Sequence, residues 1–364
     1  MIQKFLFQRT LFFIYLAALF FVGMYPMTLT FRSGHGDLAI HILLFLLLAH
    51  FFITTAPKKN SFLYNFSILI SIAALHEGSQ YFLSYRDASW LDFAADTVGI
   101  LTVLIIPSWR DSMKILFAKD YVTIGNILTG FSASILALQG HLQLAMYFIP
   151  LAFVFDRMDG EVAKWTGRTN KFGAEFDNMA DLISYSVAPA FIVYAFYLKI
   201  NVYFAVAMGL IPLTTGCIRF ARNNTYTIKY PGFWLGLPRP VSAFFTAALL
   251  GSHLQYLPYF TIVSVPIVVL INFGNLSFFP FMAHYGRKFT PALKFFMIAG
   301  GILMIAGVGA TLLTGEPWLL DVLLLEMSVY TFLTRFLLKS KEFDKLPEYV
   351  KEVNEMIDED LGIK

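Results

Sequence analysis

The feature that most restricts this chain is a series of long apolar blocks cut by short polar or Gly/Pro breaks. They lie at residues 10–29, 38–56, 61–83, 92–107, 121–139, 143–163, 173–197, 201–220, 240–256, 258–276, 290–313 and 317–337. Each approaches the ~20 residues a helix needs to cross a hydrocarbon core. The runs are continuous, whereas barrel strands alternate apolar and polar residues over ~10 positions. Only 14% of the residues are charged and 57% are hydrophobic, against about 25% charged in a domain coated by water. The expected fold is therefore an all-α polytopic integral membrane protein of about twelve transmembrane helices. The single Cys217 and a net charge of +3 argue against a disulfide scaffold and against a nucleic-acid binder. The first block follows Lys4 and Arg9 like a signal peptide, but it runs on to nearly a full span with no small-x-small cleavage pattern, so it is read as retained.

Charge placement orients the spans. Threading the blocks alternately puts all but Arg32, Arg86 and Lys199 of the 27 Lys and Arg residues on one side. By the positive-inside rule that side is cytoplasmic and holds both termini. Between the fourth and fifth blocks, residues 109–119 place Trp109, Met113, Leu116 and Phe117 on one helical face. They read as an interfacial amphipathic linker helix or as a plain juxtamembrane connection. The charged tail at 339–364 reads as solvated cytoplasmic chain, or as a weak amphipathic helix carrying Val350, Val353, Met356 and Ile357.

The chemistry is concentrated in residues 156–181. Asp156 and Asp159 are three apart at the inner end of the sixth block, and Asp177 and Asp181 are four apart at the start of the seventh. Both spacings put a pair on one helix face, and a short inner connection lets the faces confront each other. Four carboxylates at a membrane boundary repel and are costly to desolvate, so they call for counter-charge. Two divalent cations balance them, and an all-oxygen donor set favours Mg²⁺ or Mn²⁺. Paired metals of this kind serve displacement at phosphorus. Gly160, Ala163 and Gly173 remove bulk where a diphosphate would approach, and Lys164, Arg168 and Lys171 supply cations for its oxygens.

At these residues the chain resembles the CDP-alcohol phosphotransferase family. Asp156, Asp159, Gly160, Ala163, Gly173, Asp177 and Asp181 match the family signature at every spacing, and Lys164 stands where Arg is usual. The resemblance implies that Asp156, Asp159 and Asp177 hold metal, and that Asp181, beside them, is the base that activates the acceptor hydroxyl. Within the family the similarity is nearest to the branch that transfers a phosphatidyl group from CDP-diacylglycerol to L-serine, carried by TIGNILTGFSASILALQG, KFGAEFDNMADLISYSVAPA, IRFARNN and FWLGLPRPVSA. Asn178 and the pair Tyr185-Ser186 depart from that branch. The resemblance further implies that Thr123 and Asn126 face the nucleotide and that the protein is a homodimer. A serine carboxylate needs a cation, for which Arg222 is the first choice, with Arg219 and Arg239 beside it. Rival readings keep the chemistry with another alcohol (inositol phosphate, glycerol phosphate or choline), or make the chain a transporter or a scaffold.

The first four blocks are oddly polar. Asp37 and His41 are four apart, Glu77 and Gln80 are three apart, and Arg86, Asp92 and Asp96 surround the next turn. This pattern resembles the VanZ-like family of small membrane domains, with Asp96 where Asn is usual. Orientation places the cluster on the outer side, as a structural salt-bridge network or as a site for a lipid or wall precursor. A metal at His41, Asp37 and Glu77 is not expected from the spacing. The resulting division is 1–108, a VanZ-like four-helix bundle; 109–119, the linker; 120–276, a six-helix catalytic core; 277–338, two further spans; and 339–364, the tail.

Overall fold

A computed structural model describes residues 2–24, 35–56, 61–81, 89–106, 108–167, 169–226, 233–283, 291–337 and 344–363. The chain divides into two compact units, Met1–Ala118 and Lys119–Lys364. Both are helical, as the continuous apolar runs require when no water is present to satisfy an open backbone. Five helical stretches among the described residues are long and apolar enough to cross a membrane: Leu38–Thr55, Ala118–Leu138, Lys171–Tyr197, Val202–Thr225 and Met297–Thr314.

The first unit consists of α1 (Ile2–Met24), α2 (His35–Thr55), α3 (Phe62–Tyr81), α4 (Trp90–Ile105) and the short α5 (Trp109–Ser112). Ser89 caps α4, its hydroxyl accepting from the amides of Leu91 and Asp92. The most extensive packing in the unit is between α2 and α4. Gly99 permits it: a Cβ there would lie 2.8 Å from the backbone nitrogen of Leu46. Phe45, Leu48, Leu69, Ala73, Ile100 and Val103 fill the interior. The linker is not one amphipathic helix over 109–119. After α5 it tightens into a 3₁₀ turn, Met113–Ile115, and the Trp109 indole donates to Nδ1 of His50 at 3.0 Å.

The second unit contains α6 (Ala118–Leu138, entering from the first unit's last residue), α7 (Leu142–Thr166), α8 (Lys171–Leu182), α9 (Ala188–Tyr197), α10 (Val202–Thr225), α11 (Arg239–Gly251), α12 (Phe260–Phe273), α13 (Pro291–Thr314), α14 (Trp318–Leu337) and α15 (Leu346–Asp360). Every residue of α11 from Ser242 to Gly251 is buried. It packs against α7, α9, α12 and α14 and forms the axis of the core, to which α14 adds Leu320 and Leu323. Strands β1 (Phe233–Leu235) and β2 (Pro280–Met282) pair antiparallel, with Trp234 opposite Phe281. Over 346–360 the tail is a helix with an exposed outer face and one buried residue. It forms α15 and buries Val353 against Phe233, Leu235 and Met282, while the Tyr226 hydroxyl donates to Asp360 at 2.8 Å. The periodicity of Val353 and Ile357 sufficed for a helix, and the hairpin provides the apolar surface that holds it.

Candidate active site

The acidic site is built on the α7–α8 hairpin. Gly167, which adopts φ +61°, caps the end of α7, and Asn170 caps the start of α8, its side-chain oxygen accepting from the amide of Gly173 at 2.7 Å. The reversal lets Asp156 and Asp159 of α7 approach Asp177 of α8. Asp156, Asp159 and Asp177 each contribute a ligand atom to a group lying within 4.8 Å. Asp181 stands outside that trio. Its Oδ1 accepts from Asn126 Nδ2 at 3.4 Å and its Oδ2 lies 3.6 Å from a guanidinium nitrogen of Arg239. The quartet therefore divides into three clustered carboxylates and one carboxylate held by an amide and a cation.

Neighbouring side chains fix the trio. The Thr123 hydroxyl donates to Asp159 at 2.6 Å, and the Tyr185 hydroxyl donates to Asp156 at 3.3 Å. Thr123 and Asn126 thus both reach the acidic group, Thr123 at Asp159 and Asn126 at Asp181. Tyr185, which appeared only as a departure from a pattern, belongs to a π-helical turn, Ile183–Val187, immediately after Asp181. Such wide turns interrupt helices at functional sites. Gly216 faces this turn, and a Cβ there would lie 2.7 Å from that of Ser186.

Two charged residues were missed. Lys119 is buried, donates to the Gly173 carbonyl at 2.7 Å and lies 3.2 Å from the fully buried Asp120. Their positions three and four residues before Thr123 put them on its helix face, a spacing that could have exposed them. Gly173 is confined by this pair, since a Cβ would lie 2.7 Å from Asp120 Oδ1 and from Lys119 Cε. Gly160 faces open space: among the described residues, no atom comes within 4 Å of the place a Cβ would take. Lys164 is exposed and pairs with Glu161 at 2.7 Å, away from the trio, and Ala163 is half-buried. Arg168 lies outside the described residues.

The three arginines are used differently. Arg219 is buried and donates to the carbonyls of Leu235 and Asn275 at 2.9 and 2.8 Å. Arg222 donates to Leu276 and Asn275 at 2.9 and 3.3 Å and lies over the Phe278 ring. Both tie α10 to the segment before β2. Arg239, at the first turn of α11, is the one that reaches the acidic group, and its buried Nη1 has no hydrogen-bond partner among the described residues.

The donor set fits a hard divalent cation. It is all carboxylate, Asp159 is almost fully buried, and the buried Oδ1 of Asp177 has no hydrogen-bond partner among the described residues. In the first unit the structure brings His41, Glu77 and Asp96 together, with His76 beside Glu77 and Gln80 buried on the same helix. Asp92 is half-buried one turn before Asp96; Asp37 occupies the first turn of α2, and Arg86 lies outside the described residues.

Residues 116–274 match the sequence profile of the CDP-alcohol phosphatidyltransferase family. The chain is 38% identical over 130 residues to the CDP-diacylglycerol–serine O-phosphatidyltransferase of Methanocaldococcus jannaschii, covering 36% of this chain and 58% of that protein. It is 30% identical over 155 residues to the archaetidylserine synthase of Methanothermobacter thermautotrophicus, covering 42% and 66%. Similarity to the CDP-diacylglycerol–serine O-phosphatidyltransferase of Helicobacter pylori strain 26695 is 34% over 123 residues, covering 33% and 52%. The chain thus spans roughly half to two thirds of the length of these relatives. The apolar helices together with this match describe an integral membrane protein.

Proposed function

We propose that the second unit is a membrane transferase of phospholipid biosynthesis that moves a phosphatidyl group from CDP-diacylglycerol to the hydroxyl of L-serine, giving phosphatidylserine and CMP. The observation that carries this reading is the division of the quartet: three carboxylates converge on one point while Asp181 is set apart beside Arg239. The relatives named for serine transfer support the acceptor. Asp156, Asp159 and Asp177, with Asp181 beside them, would hold two Mg²⁺ or Mn²⁺ ions, which when bound neutralise the carboxylates and polarise the phosphoryl oxygens.

Asp181 takes the proton from the serine hydroxyl. The oxygen then attacks the phosphorus attached to diacylglycerol, and the bond to the CMP oxygen breaks. Arg239 replaces Arg222 as first choice for the serine carboxylate, because a buried guanidinium nitrogen with no partner among the described residues calls for an anion. Thr123 and Tyr185 keep the metal-facing carboxylates oriented. Gly160 leaves room for the diphosphate, and Lys164 and Arg168 border the same hairpin. The twelve-span arrangement, cytoplasmic termini, a site on the cytoplasmic face, a homodimer and a VanZ-like first unit complete the proposal.

The test is CMP release by the purified chain from CDP-diacylglycerol, with Mg²⁺ or Mn²⁺ and a panel of alcohols, products identified by mass. Serine-dependent release that is abolished in Asp181→Asn is the expected result. Release driven only by inositol phosphate, glycerol phosphate or choline would move the acceptor, and no release with any alcohol would refute the transferase.

A further inference from the structure

None of the residues assigned to the transfer above lies in the first unit, yet its interior carries ionisable groups that a lipid-facing bundle hides only for a reason. His41 on α2, His76, Glu77 and Gln80 on α3, and Asp96 on α4 are all at most 6% exposed. His41 meets Asp96 where Gly99 lets α4 lie against the backbone of α2. His41 Nδ1 lies 2.8 Å from Asp96 Oδ1 and 3.8 Å from Glu77 Oε1, and His76 Nδ1 lies 3.5 Å from the same Glu77 oxygen. Ligand atoms of His41, Glu77 and Asp96 fall within 4.8 Å of one another.

A closed salt-bridge network would satisfy its members, and this one does not. Among the described residues, Glu77 Oε1, Asp96 Oδ2, His76 Nδ1 and Gln80 Nε2 are buried without hydrogen-bond partners. Gln80 lies three residues beyond Glu77 on the same face of α3. The other Glu77 oxygen is already positioned, accepting from the amide of Ser89 at 3.3 Å, which leaves Oε1 directed to the histidines. Leaving buried polar atoms unpaired costs roughly 1–3 kcal/mol each, and the two carboxylate oxygens among them, Glu77 Oε1 and Asp96 Oδ2, are acceptors that one cation satisfies together.

We propose that His41, Glu77 and Asp96 form a site for a divalent transition-metal ion in the first unit, separate from the aspartate site of the second. One imidazole nitrogen with two carboxylates is a mixed donor set suited to Zn²⁺, Mn²⁺ or Fe²⁺ rather than to Mg²⁺. Three protein ligands leave coordination positions open, so the ion is placed to bind an anionic or hydroxyl-bearing ligand. His76 is the neighbouring imidazole for a fourth position or for orienting Glu77.

The test uses the full-length protein in detergent, stripped with chelator and titrated with Co²⁺. A site containing imidazole and few ligands gives a visible d–d band that Zn²⁺ abolishes, whereas an all-carboxylate hydrated site absorbs weakly. We expect the band in the parent and in Asp159→Asn, and its loss in His41→Gln and Glu77→Gln together with one equivalent of bound Zn²⁺. Glu77→Gln keeps the size of the side chain and an acceptor for the Ser89 amide, so it reports even where His41→Gln does not fold. A parent without the band, a band that persists in Glu77→Gln, or one lost only in Asp159→Asn would overturn the proposal.

Discussion

Replacing Thr123 by Val removes one hydrogen-bond donor and almost no volume. The Thr123 hydroxyl has one proton and two acceptors in range, Asp159 Oδ2 at 2.6 Å and the Lys119 carbonyl at 3.1 Å, and the shorter, charged partner takes it. Both side chains are buried, so water does not substitute. A hydrogen bond to a charged group contributes about 1.5–3 kcal/mol, which is about 10- to 150-fold at 1.36 kcal/mol per decade. Loss of a partner that orients a metal ligand costs typically about 10- to 100-fold in metal affinity or activity. We therefore predict that Thr123→Val raises the Mg²⁺ concentration for half-maximal CMP release by about 10- to 100-fold, while the rate at saturating metal changes little. Thr123→Ser, which keeps the donor, restores the parent curve. An unchanged metal dependence in the Val variant, or an increase confined to the KM for CDP-diacylglycerol, would refute this role and return Thr123 to the nucleotide.

Further outcomes follow from packing and pairing. Gly173→Ala places a methyl 2.7 Å from Asp120 Oδ1 and Lys119 Cε; overpacking of this kind costs about 1–3 kcal/mol, so the variant should melt several degrees lower and lose most of its activity. Gly99→Ala forces α4 away from the Leu46 backbone, and both thermal stability and the Co²⁺ band should fall; an unchanged band would show that close α2–α4 contact does not set the His41–Asp96 geometry. Val353→Asp buries a charge among Phe233, Leu235 and Met282, and should free α15, read as faster amide hydrogen exchange across 346–360. Arg239→Gln should raise the serine KM much more than the KM for CDP-diacylglycerol, and equal effects on both would move the serine carboxylate elsewhere.

Much of the acidic site was legible because it is local. Asp156 and Asp159 share one helix and Asp177 and Asp181 the next, and the connection is too short to separate them, so spacing brings the two pairs to one region, where three carboxylates cluster and Asp181 turns to Arg239 and Asn126. Apolar block length likewise determined a helical membrane protein, because the bilayer leaves the backbone few alternatives. What spacing could not determine was which distant groups complete the site. Arg219, Arg222 and Arg239 all sit at helix ends, and only the crossing of α10, α11 and the segment before β2 decides that Arg239 meets Asp181 while the other two meet carbonyls. The tertiary structure also decided the partners of His41. A spacing of four suggested Asp37, but the close approach of α2 and α4 at Gly99 delivers Asp96 from 55 residues away. Sequence periodicity fixes which residues share a face; only packing fixes which faces meet, because that depends on where small residues let two backbones come close.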